Sequence, residues 1–263
     1  MENLRKLNRN SLKYIAVCAM LLDHIAWCFV PSQSAAYYLM RMVGRLTMPI
    51  MAFFVAEGFK YTKNVKKYAL RLFIFSVISW IPFCLLFKNT LPVTIINGIQ
   101  HIDNSNFFKK FILYLPIEGL NKTVRICFKT DVIYTLFLSL SALIICESKK
   151  IPNILKAVLV FLLCALSING EYSYITIMYT LVFYYSSEKK MMKYILFYCV
   201  ALFYAFGSFS LSSYYKFGVL LFPVVMIFYN GENGRKNKFN KWFFYIFYPA
   251  HLILLYIIKS AIA

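Results

Sequence analysis

The chain has 263 residues, of which 61% are apolar, 19% aromatic and 15% charged, with a formal net charge of +19. That composition excludes a soluble domain built around an ordinary core and indicates a polytopic membrane protein. It also removes nucleic acid as a partner: the cationic residues sit at the ends of apolar runs, and no hydrophilic basic domain exists to hold a polyanion.

About nine apolar runs (eight to ten) predict an all-α bundle of transmembrane helices, at roughly 12–30, 39–59, 68–87, 131–147, 152–168, 172–187, 192–207, 214–229 and 242–262. They form one integral-membrane domain over 1–263. The first run follows a basic N-terminus but lacks a small-residue cleavage site, so it reads as a retained helix. With the N-terminus in the cytoplasm, nineteen of the 29 Lys and Arg residues fall in cytoplasmic segments. The short outer loops at 31–38, 169–171 and 208–213 carry none. The positive-inside rule therefore favours a multi-pass protein of the cell membrane, N-terminus in and C-terminus out.

The first helix carries Asp23 and His24. His24 lies six residues, about 9 Å, from the outer end at Val30. Neighbours on a helix point about 100° apart, so Asp23 is a poor orienting partner for His24, and one of the two faces another helix.

The second run, RMVGRLTMPIMAFFVAEGFKYT (41–62), is helix-length and apolar, yet holds Arg41, Arg45, Pro49 and Glu57. Ionisable groups at bilayer depth are costly and mark function. Arg41 either joins the interior or snorkels to a headgroup. Arg45 lies six residues from the outer end at Leu39, level with His24. Pro49 has no N–H for the carbonyl of Arg45, so a kink is predicted there. Glu57 stands twelve residues, about 18 Å, beyond Arg45 and cannot pair with it. It belongs at the cytoplasmic mouth, opposite Lys60 or Arg71.

The connection at 88–130 is the long extracytoplasmic one and carries six cations, against the charge rule. Within it, FFKKFILYLPIEGL reads as an interfacial amphipathic helix, a lid or a plain surface loop. Asp131 and Glu171 open the fourth and sixth helices, where acids suit the helix dipole. The loop NGENGRKNKFNK (230–241) is a glycine-punctuated cytoplasmic turn. In the last helix, Pro249 disrupts the backbone at the carbonyl of Tyr245 beside a second buried titratable group, His251. Aromatic residues at the helix ends read as interfacial anchors. The seven cysteines are scattered without a CxxC pair, so neither a disulfide framework nor a metal site is expected.

Three stretches together resemble the TraX family, membrane proteins named for acetylation of a conjugative pilin. They are LKYIAVCAMLLDHIAWCF (12–29); GRLTMPIMAFFVAEGFKYTKN (44–64) with YALRLFIFSVISWIPF (68–83); and FFYIFYPAHLILLY (243–256) after YNGENG (229–234). GEYSYITIMYTLVFYY (170–185) is a looser likeness, and DVIYTL (131–136) departs from the family by opening with Asp131 in place of Asn. The wider resemblance is to integral-membrane acyltransferases. It implies transfer of an acetyl group from cytoplasmic acetyl-CoA to an amine or hydroxyl acceptor: a peptide, a pilin or an envelope glycan.

On that implication the catalytic set is His24, Asp23, Arg45 and His251. His24 serves as general base or acetyl carrier, and Arg45 as the group that stabilises the oxyanion or a phosphate. Arg41, Glu57 and Arg71 are the expected donor contacts; Glu171, Tyr172 and Asp131 are the expected acceptor contacts. The rival class is a non-enzymatic transporter or assembly scaffold, since buried His, Asp and Arg also build proton relays. No internal duplication of the kind expected of a transporter is visible.

Overall fold

A computed structural model describes residues 5–97, 112–117, 122–207, 211–234 and 238–262. Its helices start where the chain supplies a cap. Asn8 accepts from the backbone N–H of Ser11 at 3.0 Å and opens α1, Arg9–Phe29. Ser34 accepts from Tyr37 at 3.1 Å and opens α2, Ala35–Gly44. After α3, Thr47–Tyr61, Asn64 accepts from Lys67 at 2.9 Å and opens α4, Val65–Lys88. Such a cap is worth about 1 kcal/mol. Asn89 then ends α4 in the left-handed region.

The second apolar run is interrupted one turn before Pro49, at two residues that keep helical dihedrals. It stops at Gly44, turns through Arg45 and Leu46, and restarts at Thr47, with Pro49 in the first turn of α3. A proline is tolerated there because the N–H it lacks has no partner in a first turn anyway. Thr47 fixes the restart, its Oγ1 donating to the carbonyl of Ala16 on α1 at 3.0 Å.

The connection after α4 corrects the helical expectation for FFKKFILYLPIEGL. Strands β1 (Val93–Asn97), β2 (Ile112–Ile117) and β3 (Lys122–Cys127) form an antiparallel sheet in the order β1-β3-β2. Val93 pairs with Ile126, and Leu113 with Ile126 from the other side. The β-branched runs VTII and TVRI favour strand. Pro116, which cannot donate to a ladder, lies on an edge strand where that is tolerated. The FFKKF half of the stretch lies outside the described residues.

Next come α5 (Val132–Glu147), α6 (Asn153–Ser167), α7 (Ile175–Tyr185) and α8 (Lys190–Phe206). An unusually long 3₁₀ helix, Leu211–Leu221, leads into α9 (Phe222–Ile227), and α10 (Lys238–Ile262) closes the chain. Among the described residues four segments are long and apolar enough to cross a membrane: α1, the broken α2–α3, α4 and the Trp242–Ile262 part of α10. The expected count of about nine spans is not confirmed by the remaining apolar helices. At 11–16 residues, α5, α6 and α7 reach only about 16–24 Å, short of a ~30 Å hydrocarbon layer.

Helices α1 and α3 are shared between two cores. One gathers Leu12, Ala16, Ile50 and Phe54 with Tyr179 of α7, Phe197 of α8 and Phe222 of α9. The other joins Met20 and Val55 to Leu72 of α4, Leu136 of α5 and Leu252 of α10. The outer surface is apolar instead of polar. On α4, Leu70, Phe73, Ile74, Val77, Ile78 and Ile81 form an exposed stripe at helical spacing, as lipid contact requires. The protein is an integral membrane helical bundle.

Gly218 of the 3₁₀ helix lies directly against the backbone carbonyl of Met42 on α2, and a Cβ there would overlap it. Gly218→Ala is expected to lower stability by about 1–3 kcal/mol through overpacking against main chain. A melting temperature in detergent indistinguishable from wild type would show that the two elements part freely.

Candidate active site

Asp23 and His24 are both buried on α1, 2% exposed each, and they turn to different helices. Asp23 faces α2. Its Oδ2 accepts from Arg41 Nη1 at 2.9 Å and from Arg45 Nη2. Arg41 and Arg45 are one turn apart, so both reach one carboxylate from the same face. Both also lie where cations suit the negative end of the α2 dipole. Gly44 permits the approach, since a Cβ there would collide with the Asp23 side chain. Arg41 is thus an interior group and not a snorkelling one.

His24 faces α10. Its Nδ1 lies 2.8 Å from His251 Nε2, and His251 Nδ1 lies 2.9 Å from the carbonyl oxygen of Phe247. The tautomers follow from that carbonyl. It only accepts, so His251 Nδ1 must carry the proton and donate. In neutral His251 the Nε2 is then the acceptor, and His24 Nδ1 must donate to it. His24 Nε2 is left with an open lone pair. His251 thus uses both ring nitrogens on protein partners, His24 and the Phe247 carbonyl, and Phe247 stacks on it at 4.9 Å. Pro249 lies within α10, which runs on as one helix from Lys238 to Ile262.

Glu171 completes the cluster. One oxygen each of Asp23 and Glu171 and a ring nitrogen of His24 lie within 4.8 Å of one another. The loop that brings Glu171 in is tied down: Thr130 N donates to Asn169 O, and Glu171 N to Thr130 O, each at 3.1 Å. Its next two residues, Tyr172 (φ 61°) and Ser173 (φ 52°), are both left-handed without being glycine, a cost that recurs at functional sites. Burial pushes the Glu171 carboxyl above its usual range, against the pull of Arg45. The group has metal-ligand chemistry, but two guanidiniums already occupy Asp23, so a divalent cation would meet two cations at contact distance. An acid–base role suits it better.

Tyr172, an expected acceptor contact, and Tyr215, an aromatic of the kind expected to anchor in the interface, both face the arginines. The Arg45 guanidinium lies 4.7 Å from the Tyr172 ring centre and 5.2 Å from that of Tyr215, and Arg41 lies 4.6 Å from Tyr215. Tyr215 was hidden from sequence reasoning because SSYYKFG reads like any interfacial end. An outer cavity of about 340 Å³ reaches Arg45 past Tyr172, Tyr204, Lys129 and Lys216.

The other expected site residues do not converge there. Asp131 is the buried N-cap of α5, its Oδ1 accepting from Tyr134 N at 3.0 Å, and it lies within electrostatic reach of Glu171. Glu57 pairs with Arg9, at 3.1 Å from its Nε, and not with Lys60 or Arg71. The proposed donor trio is split: Glu57 lies sixteen residues, about 24 Å, beyond Arg41 along the broken helix. Arg71 lines a different cavity, at the end of the bundle where α1 begins.

Comparison with known proteins agrees with the resemblance read from the sequence. The family model described as TraX protein matches residues 8–100 and 122–259. The chain is 32% identical over 260 residues to the "Probable fimbrial assembly protein FimC, serogroup H1" of Dichelobacter nodosus, covering 93% of this chain and 92% of that protein. It is also 35% identical over 88 residues to an uncharacterized protein of Rickettsia prowazekii (strain Madrid E), over 34% of this chain and 32% of that one. No solved structure matches. The matched segments contain the helices that carry Asp23, His24, Arg41, Arg45 and His251, and the chain belongs to the TraX family.

Proposed function

We propose that the protein is an acetyltransferase of the cytoplasmic membrane, moving an acetyl group from acetyl-CoA to an amine or hydroxyl acceptor. The observation that carries the reading is the open lone pair on His24 Nε2, held by the relay from the Phe247 carbonyl through His251. In this scheme His24 Nε2 takes a proton from the acceptor as its nitrogen or oxygen attacks the thioester carbonyl. The charge gained by the ring is matched by the negative charge developing on the thioester oxygen, and Asp23 and Glu171 oxygens lie within 4.8 Å of a His24 ring nitrogen. The carbonyl oxygen becomes an oxyanion that Arg45 stabilises, a type of contribution often worth 10²–10³-fold. Collapse breaks the carbon–sulfur bond, and the leaving thiolate receives the proton back from His24. No net proton stays on the enzyme.

Acetyl-CoA is a cytoplasmic molecule, and the outer cavity reaches Arg45 from the opposite side. That arrangement supports an acceptor arriving from outside. The name of the Dichelobacter relative, a fimbrial assembly protein, supports a pilin-like acceptor over an envelope glycan. The same name favours the rival reading of a non-catalytic assembly protein, and turnover separates the two.

His24→Ala is expected to cut acetyl transfer by about 10²–10⁴-fold with little change in melting temperature. Normal turnover by folded His24→Ala protein would remove His24 from the chemistry. At position 251, Gln retains an acceptor for His24 Nδ1 and should keep more activity than Leu, which has none. Equal activity of the two variants would refute the relay.

Arg45→Lys is expected to fail nearly as badly as Arg45→Ala. A lysine offers no planar fork to serve Asp23 and a developing oxyanion together. Turnover assays on both variants, with folding checked by gel filtration, decide this. Recovery of most activity by Lys would reduce Arg45 to a point charge.

A further inference from the structure

A cavity of about 240 Å³ lies at the end of the bundle where α1 begins, and none of the chemistry above uses it. Its mouth holds Arg9, Lys13 and Arg71, and no carboxylate is among its described lining residues. Arg9 is balanced by Glu57 and also donates to Asn233 Oδ1 at 2.8 Å. Lys13 lies 5.3 Å from the Phe54 ring centre and 5.2 Å from that of Phe244, and the one carboxylate within its electrostatic reach, Glu57, is already paired with Arg9. Arg71 lies 5.9 Å from the Tyr68 ring centre and beside the Tyr245 hydroxyl, and its buried Nε has no hydrogen-bond partner among the described residues. Two cations at the edge of an apolar bundle, sharing one carboxylate already taken by a third, are costly unless an anion joins them.

Beyond the mouth the wall is apolar: Met51, Val55, Leu72, Ile133 and Leu136. Along α3 the lining runs from Thr62 to Met51, eleven residues or about 16 Å. On α10 it includes Tyr245, six residues or about 9 Å before His251. The volume is below the ~300–1,000 Å³ of pockets that enclose a drug-sized ligand. Only a slender part of a larger molecule fits inside, and the rest stays at the mouth.

We infer that this cavity binds a phosphate ester, with the phosphate on Lys13 and Arg71 and an uncharged arm of the same molecule along the apolar wall toward His251. The direction given to the arm rests on the acyl-transfer reading; the phosphate contacts do not. A phosphate ester is supplied either by a soluble nucleotide carrier such as coenzyme A or by a phospholipid headgroup.

The test uses the purified full-length chain in neutral detergent with no acceptor present. Binding of coenzyme A and of dephospho-coenzyme A, which lacks one phosphate, is measured by calorimetry at two salt concentrations. Melting temperature is measured in parallel in nanodiscs of phosphatidylcholine with and without phosphatidylglycerol. For a soluble ester, coenzyme A binds several-fold more tightly than its dephospho form, and Lys13→Gln and Arg71→Gln each weaken it about tenfold and reduce the salt dependence. For a lipid ester, phosphatidylglycerol raises the melting temperature of wild type but not of Arg71→Gln, and coenzyme A does not bind. Binding of neither, or binding that both variants leave unchanged, overturns the site. Tight coenzyme A binding by a wild-type protein that transfers nothing would instead sink the acetyltransferase reading and leave the cavity assignment standing.

Discussion

The carboxylate of Asp23 is the interaction on which the arrangement depends. It is buried on α1 and holds two guanidiniums from the last turn of α2. Truncating one member of such a group leaves an unpaired charge in a poorly solvated interior, at a cost of about 3–5 kcal/mol. The pairing has a geometric consequence as well. It pins the end of α2 at the turn between α2 and α3, so the Arg45 side chain is held by its carboxylate partner at the point where the regular helix is interrupted. Asp23 and Glu171 are the two carboxyl groups that face these two arginines.

Much of this was legible in the sequence, for reasons that can be named. Charged residues in apolar runs are expensive, so Asp23, His24, Arg41 and Arg45 stand out without any structure. Helical periodicity also showed that Asp23 and His24 point to different neighbours, and the structure gives those neighbours as α2 and α10. The identity of the partner was out of reach. Nothing local links His24 to His251, 227 positions away. Glu57 was matched to nearby cations by sequence distance, whereas its partner, Arg9, comes from the far end of another helix. Tyr215 and Tyr204 were invisible because an aromatic at a helix end looks the same whether it faces lipid or an arginine.

The short helices carry the second lesson. A hydropathy pattern counts apolar runs, but it does not reveal the depth at which a run begins. Asp131 caps α5 from a fully buried position, and Glu171 lies four residues ahead of α7, in a loop joined to Thr130 through the Thr130–Gly170 bridge. Helix α5 therefore starts inside the protein and not at its surface. The same bridge holds an irregular stretch of chain inside the bundle, which is possible only where protein and not lipid surrounds it.

The two faces of α1 bear on how the chain can vary. Ala16 receives Thr47 from α3, Asp23 receives the arginines of α2, and His24 reaches α10, all within nine consecutive residues. Inserting or deleting one residue between Ala16 and Asp23 would turn everything beyond it by about 100°, so that Asp23 and His24 could not meet their partners while Ala16 kept Thr47. Gain or loss of length is therefore forbidden in this part of α1. The connection between α4 and α5 carries no such restriction, and it is there, at 101–121, that the family match is interrupted. Within the family, variation in length should concentrate in this sheet-bearing connection while α1 keeps its residue count unchanged.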